Sequence, residues 1–411
     1  MNLLEVGFSA LAKKRKIEYT VFIMLNFVYQ NANAIVLGRF PESKIADLLS
    51  EYGAKRVLLH YGKGSAVSSG LLGRIEAELT GRKIAFVKYG GVSANPLKSF
   101  ALKGVEFSRR EAVDFVLAIG GGSVIDSAKC IAAGAADGDV WKCYKGERKL
   151  KAALPLGCVL TIPAAGSEGG PHSVIRDDES GCKFALYSPF LVPRFAFINP
   201  EYCFTLPKEQ IAYGASDILA HLLERYFSRE EECGELTDAL LAACIRTVFR
   251  IAPKLVKDNK NYDLWAEMCL CGTLAHNDML SMGRNGDWGT HGAENAVLSG
   301  VHNLAHGAGL AILFPAWLKL MSRKSPERVL SFARLATDAR DGAAKPSAEM
   351  AIEQLERFYA SIGLKTRLSQ IGLSMSQVSP VLRDLYGYDT RVGAFGQLTA
   401  AEIEELFRLA E

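Results

Sequence analysis

The sequence predicts a two-domain protein: an α/β half built on a mostly parallel, Rossmann-like sheet, followed by an all-helical half. Three observations lead there. Between residues 34 and 200, short β-branched runs alternate with helical patterns, as βαβ units require. Past Leu206, long stretches rich in Ala, Leu, Glu and Arg carry no strand signal. The chain has 411 residues, of which 49% are hydrophobic; that is too long for one ordinary core and apolar enough to bury two.

Taken in order, residues 1–23 place a Lys/Arg cluster after the first apolar run. A secretory signal has the reverse order and a small-residue cleavage site, so this segment reads as an extension outside the fold. The α/β domain, residues 24–204, has candidate strands at 34–37, 56–61, 83–88, 114–119, 157–162 and 195–198. Helical patterns at 44–52, 65–79 and 124–133 lie between them. Ligands of such sheets sit at the carboxyl ends of the strands. The boundary falls between Pro200 and Pro207. In the helical domain, residues 205–411, amphipathic stretches run over 208–227, 236–251, 326–338, 348–362 and 400–410.

With 48 Lys and Arg against 45 Asp and Glu, the net charge is +3. That balance marks neither a nucleic-acid binder nor a membrane binder, and no apolar stretch approaches the roughly 20 residues that span a bilayer. The nine cysteines give no CxxC spacing. Cys269 and Cys271, two apart on a predicted helix, point to different faces and make a poor metal half-site. Reduced thiols in a cytoplasmic protein are the expectation.

Two glycine-rich turns stand at strand ends. The run 115–119 leads into Gly120, Gly121, Gly122 and Ser123, and a helix opens behind them. Such a turn lets the backbone approach a pyrophosphate, whose charge is met by free N–H groups and the positive helix end. A second turn, Tyr61-Gly62-Lys63-Gly64-Ser65, follows the strand at 56–61. Sites that select NAD place an acidic residue near a strand end to bind the ribose 2′-hydroxyl. Here that turn has no Asp or Glu and carries Lys63, which predicts NADP(H) over NAD(H).

The helical half holds the second constellation. Asp217 and His221 stand four apart in YGASDILAHLLERY, His291 lies in DWGTHGAEN and His306 in HNLAHGAG. Spacing of four puts the first two on one helix face. One carboxylate and three imidazoles complete the ligand set of a divalent transition metal, with Fe(II), Zn(II), Mn, Co and Ni all compatible. A site assembled between the halves would occupy the interdomain cleft. Of the other histidines, His60 ends a strand and reads as structural. His172 and His276 read as packed residues, with a place on the cleft wall as the alternative.

These motifs resemble the iron-containing alcohol dehydrogenases, in particular the NADPH-dependent butanol dehydrogenase-like aldehyde reductases. GGGSVIDSAK, TIPAAGSE (161–168), ASDILAH (215–221), DWGTH (287–291) and AHGAGLAILFPAW (305–317) follow in that family's order, and the resemblance runs from about residue 24 to the C-terminus. It implies a dinucleotide-binding α/β domain followed by an all-α metal-binding domain, an architecture shared with dehydroquinate synthases. It also implies Asp217, His221, His291 and His306 as metal ligands, with iron favoured. Gly120 to Ser123 match its pyrophosphate loop, Thr161 and Lys183 its cofactor contacts, and Asn95, in GGVSANP, a motif near the cleft. The expected partner is a small aldehyde or alcohol, reduced or oxidised by hydride transfer while the metal polarises the oxygen. A homodimer is expected.

Two positions depart from the pattern. Where the family commonly has a histidine four residues after the third ligand, this chain has Asn295, which cannot titrate and so cannot relay a proton. His302 is a candidate substitute. Ala165 replaces the second threonine of the commoner GTGSE form. Two other readings follow: a polyol oxidoreductase like the glycerol dehydrogenases, or a non-catalytic protein that binds dinucleotide and metal. The apolar segments LAILFPAW and AVLSGV favour a short aliphatic aldehyde over a polyol if they line the pocket rather than the core.

Overall fold

The structure, a computed structural model, describes residues 25–229, 234–336, 346–387 and 389–411. The segment read as an N-terminal extension, 1–23, lies outside these residues. In chain order come β1 (Ala34–Leu37), α1 (Ser43–Glu51), β2 (Arg56–Gly62), α2 (Ser65–Ser68), α3 (Leu71–Gly81), β3 (Ala85–Val92), α4 (Lys98–Arg110) and β4 (Phe115–Gly120). Then follow α5 (Gly122–Asp137), α6 (Val140–Tyr144), β5 (Leu156–Leu160), β6 (His172–Arg176), β7 (Lys183–Tyr187) and β8 (Phe195–Ile198). Six strands form one parallel sheet in the order β1-β8-β5-β4-β2-β3.

The central strands β4, β5 and β8 are buried at every position because both sheet faces are covered. Leu58, Val116 and Ala118 face one core, while Val57, Leu59, Phe115 and Leu117 face the other, packed with Ile45, Leu49, Leu72 and Ile75 of α1 and α3. The predicted helix at 65–79 is two helices, because Gly70 adopts φ +72° and ends the first. One element escaped the sequence reading altogether. Strands β6 and β7 form an antiparallel hairpin outside the main sheet, with His172 opposite Tyr187 and Arg176 opposite Lys183. Its strands are five residues each, with β6 burying only Ser173 and Ile175 and β7 only Leu186, too little pattern to stand out.

His60 ties the sheet to the helix behind the glycine loop. Its Nδ1–H donates to Tyr89 O (2.8 Å) and its Nε2 accepts from Ser127 Oγ of α5 (3.0 Å). Burial pushes the imidazole down to about 4, against about 6.5 in an unfolded chain. A depressed histidine adds stability that is complete above pH 6.5 and lost as pH falls through 4, roughly 3 kcal/mol in all. Denaturant unfolding at pH 7 and pH 4.5 should therefore show a smaller acid loss in His60→Gln than in the wild type. Equal losses in the two proteins would contradict this assignment.

From Pro207 onward the chain is helical: α7 (Lys208–Tyr226), α8 (Glu235–Lys257), α9 (Tyr262–His276), α10 (Gly289–Ala293), a π-helical segment Glu294–Val301, α11 (His306–Lys324), α12 (Pro326–Ala336), α13 (Ala348–Ser361), α14 (Met375–Leu385) and α15 (Ala400–Leu409). No described helix is long and apolar enough to cross a membrane. One core cluster runs unbroken from Leu160 and Ile198 of the sheet into Ile211, Leu219, Ile312 and Phe314 of the helices. The segment LAILFPAW is wholly buried in it, so its apolar character reports core packing and says nothing about a substrate.

Helix α7 is the axis of this half, and α11 lies directly on it. A Cβ on Gly307 would stand 2.2 Å from Tyr213 O of α7, so only glycine permits this approach. Ser216 Oγ closes the same contact by donating to Gly307 O at 2.7 Å.

Candidate metal centre and dinucleotide cleft

Asp217 and His221 sit one turn apart on α7, both buried. His291 comes from the short helix α10, and His306 opens α11, which Gly307 brings against α7. Asp217 Oδ1 stands among three ring nitrogens: His221 Nδ1 at 3.5 Å, His306 Nε2 at 3.6 Å and His291 Nε2 at 3.8 Å. Ligand atoms of Asp217, His291 and His306 all lie within 4.8 Å of one another. His221 touches the same oxygen from its own turn of helix and stacks on His291, ring centres 4.7 Å apart.

These approaches are too long for hydrogen bonds. Asp217 Oδ1, His221 Nδ1 and His291 Nε2 are buried with no hydrogen-bond partner. Each such orphan costs about 1–3 kcal/mol, and three facing one point need a common partner. A divalent cation would supply it: ligands at roughly 2.1 Å from a tetrahedral metal stand about 3.4 Å apart, close to the 3.5–3.8 Å spacings around Asp217 Oδ1. The electrostatics agree. Burial alone would raise the Asp217 carboxyl, but the surrounding imidazoles outweigh it and hold the group below the usual carboxylate range. Burial disfavours a charged His291, yet the Asp217 and Glu224 carboxylates overcome that and raise it to about 9. His221, buried and beside other cationic groups, is pushed well down despite Asp217.

Two carboxylates that the sequence reading missed orient the rings. His291 Nδ1 donates to Glu224 Oε1 (2.9 Å), and His306 Nδ1 makes a short hydrogen bond to Glu294 Oε2. Each bond fixes a proton on Nδ1 and turns Nε2 toward Asp217, where it can present its lone pair to a cation that displaces any second proton, the arrangement that carboxylates impose on metal-binding histidines. A signal existed. Glu224 lies three residues after His221 and Glu294 three after His291, on the same helix faces and in apolar surroundings.

His172 and His276 enter the same cluster. Ring centres run His172 to His276 at 4.3 Å, His276 to His221 at 4.3 Å, His221 to His291 at 4.7 Å and His291 to His306 at 5.3 Å. Trp288, at φ +61°, packs edge-on to His276 and His291, with the Arg225 guanidinium 4.7 Å above its ring. His302, the candidate proton carrier, instead closes the π-helical segment with its backbone N–H on Val297 O (3.1 Å), and its ring is not among the stacked histidines.

On the α/β side, Gly120 to Ser123 turn from β4 into α5, and Gly62, Gly64 and Ser65 turn from β2 into α2. Ser65 and Thr161 line a cavity of about 530 Å³ with Arg39, Glu42, Arg74, Asn199 and Glu201, all at the carboxyl side of the sheet. The loop after β5 joins the two sites. Ile162 and Ala165 stand where Cβ atoms on Gly121 and Gly122 would fall (2.3 and 3.0 Å), and Pro163 O stands 2.5 Å from a Cβ on Gly214, one turn ahead of Asp217. Ala165, a departure from the family form, thus sits against the glycine turn. Asn95, at φ +52°, ends the loop after β3 just before the bridge from Leu97 to Arg176 of the hairpin.

Lys183, at the start of β7, points into the other half. Its Nζ donates to Asn295 Oδ1 (2.9 Å) and Ser299 Oγ (2.7 Å). Burial lowers its pKa, against the pull of Glu294 and Asp217. Asn295 is therefore an acceptor for a lysine rather than a titrating group.

Comparison with known families agrees with this geometry. A model described as iron-containing alcohol dehydrogenase matches residues 32–200, and one described as Fe-containing alcohol dehydrogenase family, C-terminal, matches residues 211–410. The chain belongs to the iron-containing alcohol dehydrogenase family. It is an oxidoreductase of the alcohol dehydrogenase type, a family whose chemistry uses a nicotinamide dinucleotide and a metal. A probable NADH-dependent butanol dehydrogenase 1 of Bacillus subtilis is 37% identical over 94% of the chain and 99% of its own length. The NADPH-dependent aldehyde reductase YqhD of Escherichia coli is 33% identical over 80% and 85%. The crystal structure of NADH-dependent butanol dehydrogenase A from Thermotoga maritima superposes with a TM-score of 0.87 at 33% identity, covering 94% of the chain and 99% of its own.

Proposed function

We propose that this enzyme transfers hydride between NADP(H) and a small aliphatic aldehyde or its alcohol, at a divalent metal held by Asp217, His221, His291 and His306. The observation that carries the reading is the single buried carboxylate oxygen ringed by three imidazole nitrogens at 3.5–3.8 Å, none of them hydrogen-bonded to it. A divalent cation bound there supplies Lewis-acid polarisation of a carbonyl oxygen, in a ligand set with one negative charge. Fe(II) is the metal we favour, on the family, with Zn(II) the other candidate. The residues do the rest. Gly120 to Ser123 and the amino end of α5 hold the pyrophosphate, and the loop from Thr161 to Ala165 packs between that turn and α7, so cofactor and metal sites are neighbours. We assign Asn95 and Lys183 to the same cleft on the family resemblance.

The choice of NADP(H) rests on charge. Lys63 is exposed and, among the described residues, has no carboxylate within ion-pair distance, which leaves it available to a 2′-phosphate. The structure also brings Glu42 and Glu201 to the cavity, and such groups could favour NAD(H). Both are already matched, Glu42 by Arg74 at 2.6 Å and Glu201 by Arg39 at 2.9 Å. The butanol and aldehyde names of the relatives support a short aldehyde. The reading extends to a cytoplasmic homodimer, in keeping with the eight described cysteines, all unpaired.

The test is oxidation of NADPH and NADH with C2 to C6 aldehydes, before and after metal removal. We expect turnover with at least one aldehyde, a higher kcat/KM with NADPH, and loss of turnover on chelation while NADPH still binds. Fe(II) should restore it. Undiminished activity in metal-free protein would remove the metal from the reaction, and a clear NADH preference would remove the cofactor assignment.

A further inference from the structure

A line of hydrogen bonds crosses from the α/β half to the metal centre. It starts at Lys183, whose Nζ donates to Asn295 Oδ1 and Ser299 Oγ. Ser299 is fully buried, and its hydroxyl donates to Glu294 Oε2 at 3.1 Å. Glu294 Oε2 in turn accepts from His306 Nδ1. A lysine ammonium can only donate, and this sets the direction of every bond beyond it: the hydroxyl oxygen must accept from Lys183, so its proton goes to Glu294. The carboxylate then takes Nδ1–H, and His306 Nε2 is left bare toward Asp217 at 3.6 Å.

The π-helical segment makes this line geometrically possible. Glu294 and Ser299 are five residues apart, which in an α-helix puts side chains roughly 140° apart around the axis. A π-helix, with its i to i+5 bonding, stacks them. Space for the Glu294 carboxylate comes from Gly309 of α11, where a Cβ would stand 2.4 Å from Oε1. Arg176 fastens the hairpin independently, with Nη2 on Gly300 O at 3.0 Å, so the hairpin does not depend on Lys183 to stay docked.

We propose that Lys183 and Ser299 are positioning residues for the metal centre. They lock the tautomer and ring direction of His306 through Glu294, so retention of a metal bound in the helical half depends on a lysine of the α/β half. Asn295 serves as the second acceptor that holds the ammonium in line. The inference rests on the reading that His306 binds metal.

The test uses Co(II) as the probe, followed by its visible absorption, with the full chain and no dinucleotide present. Wild type, Ser299→Ala, Ser299→Thr and Lys183→Met are loaded with Co(II), and release to excess EDTA is timed. Outer partners of metal-binding histidines typically contribute about 10- to 100-fold in metal affinity. Ser299→Ala and Lys183→Met should therefore shed Co(II) about 10- to 100-fold faster. Ser299→Thr, which keeps the hydroxyl, should stay close to wild type, whereas a merely loosened turn would affect the bulkier threonine too. If the wild type takes up one equivalent and both disruptive variants retain it as long, the positioning role is overturned and the metal reading stands. If the wild type binds no Co(II), the metal reading itself fails. Should Ser299→Ala not fold by circular dichroism, Lys183→Met, which empties no buried space in the π-helical turn, decides the matter alone.

Discussion

Asp217→Asn is expected to lower kcat/KM with aldehyde by about 10³-fold or more, the roughly 4 kcal/mol that a lost Lewis acid is worth. The amide matches the carboxylate in shape but cannot carry its charge, and Asp217 Oδ1 is the one atom that approaches all three imidazoles. Purified D217N should contain little metal. It should still bind NADPH with near-normal affinity, because the glycine turn between β4 and α5 lies in the other half of the chain. Aldehyde turnover, metal content and a fluorescence titration with NADPH check the three parts together. Near-wild-type turnover in D217N would mean that the carboxylate is not at the reaction centre.

Gly307→Ala should damage both stability and activity, although it adds one methyl group and touches no ligand. The new Cβ would meet Tyr213 O at 2.2 Å and Tyr213 C at 2.8 Å, and backbone cannot swing aside as a flexible side chain does. Overpacking of this kind costs about 1–3 kcal/mol, visible as a lower Tm. The only relief is for α11 to lift off α7, which carries His306 away from Asp217. A displacement near 1 Å at a reacting centre costs about 100-fold in rate, so kcat should fall far more than the melting temperature suggests. Wild-type kcat in a G307A protein with a normal Tm would show that the two helices are not locked in this register.

The strands at 34–37 and 195–198 match the structure residue for residue, and the other four main-sheet strands shift by at most a few positions. These are legible because a buried parallel strand must be apolar throughout and is bounded by turn residues. The hairpin β6–β7 was not legible: it lies outside the sheet, and its importance comes from where Lys183 and Arg176 reach. The four side chains proposed as metal ligands are legible as residue types in recognisable motifs. Glu224 and Glu294 were passed over, although each follows a histidine by three, because an acidic residue on a helix is usually solvated and only burial shows that it is not. Of the apolar segments that suggest an aliphatic pocket, LAILFPAW is core and AVLSGV ends on the exposed Val301, since hydrophobicity along a helix records what is buried without saying whether a neighbour or a ligand buries it.

What the sequence determined by itself is therefore local and periodic: the alternation of strand and helix, the glycine turns at strand ends, and the donor types in motif order, all written within a few residues of one another. The tertiary structure alone decided that α11 may lie on the backbone of α7, that one carboxylate oxygen faces three rings, and that a lysine from the α/β half reaches a carboxylate beside His306 through Ser299. Several of those relations join residues far apart in the chain, 91 positions between Ser216 and Gly307 and 116 between Lys183 and Ser299, and spacing along a chain carries no distance across it until packing has set one.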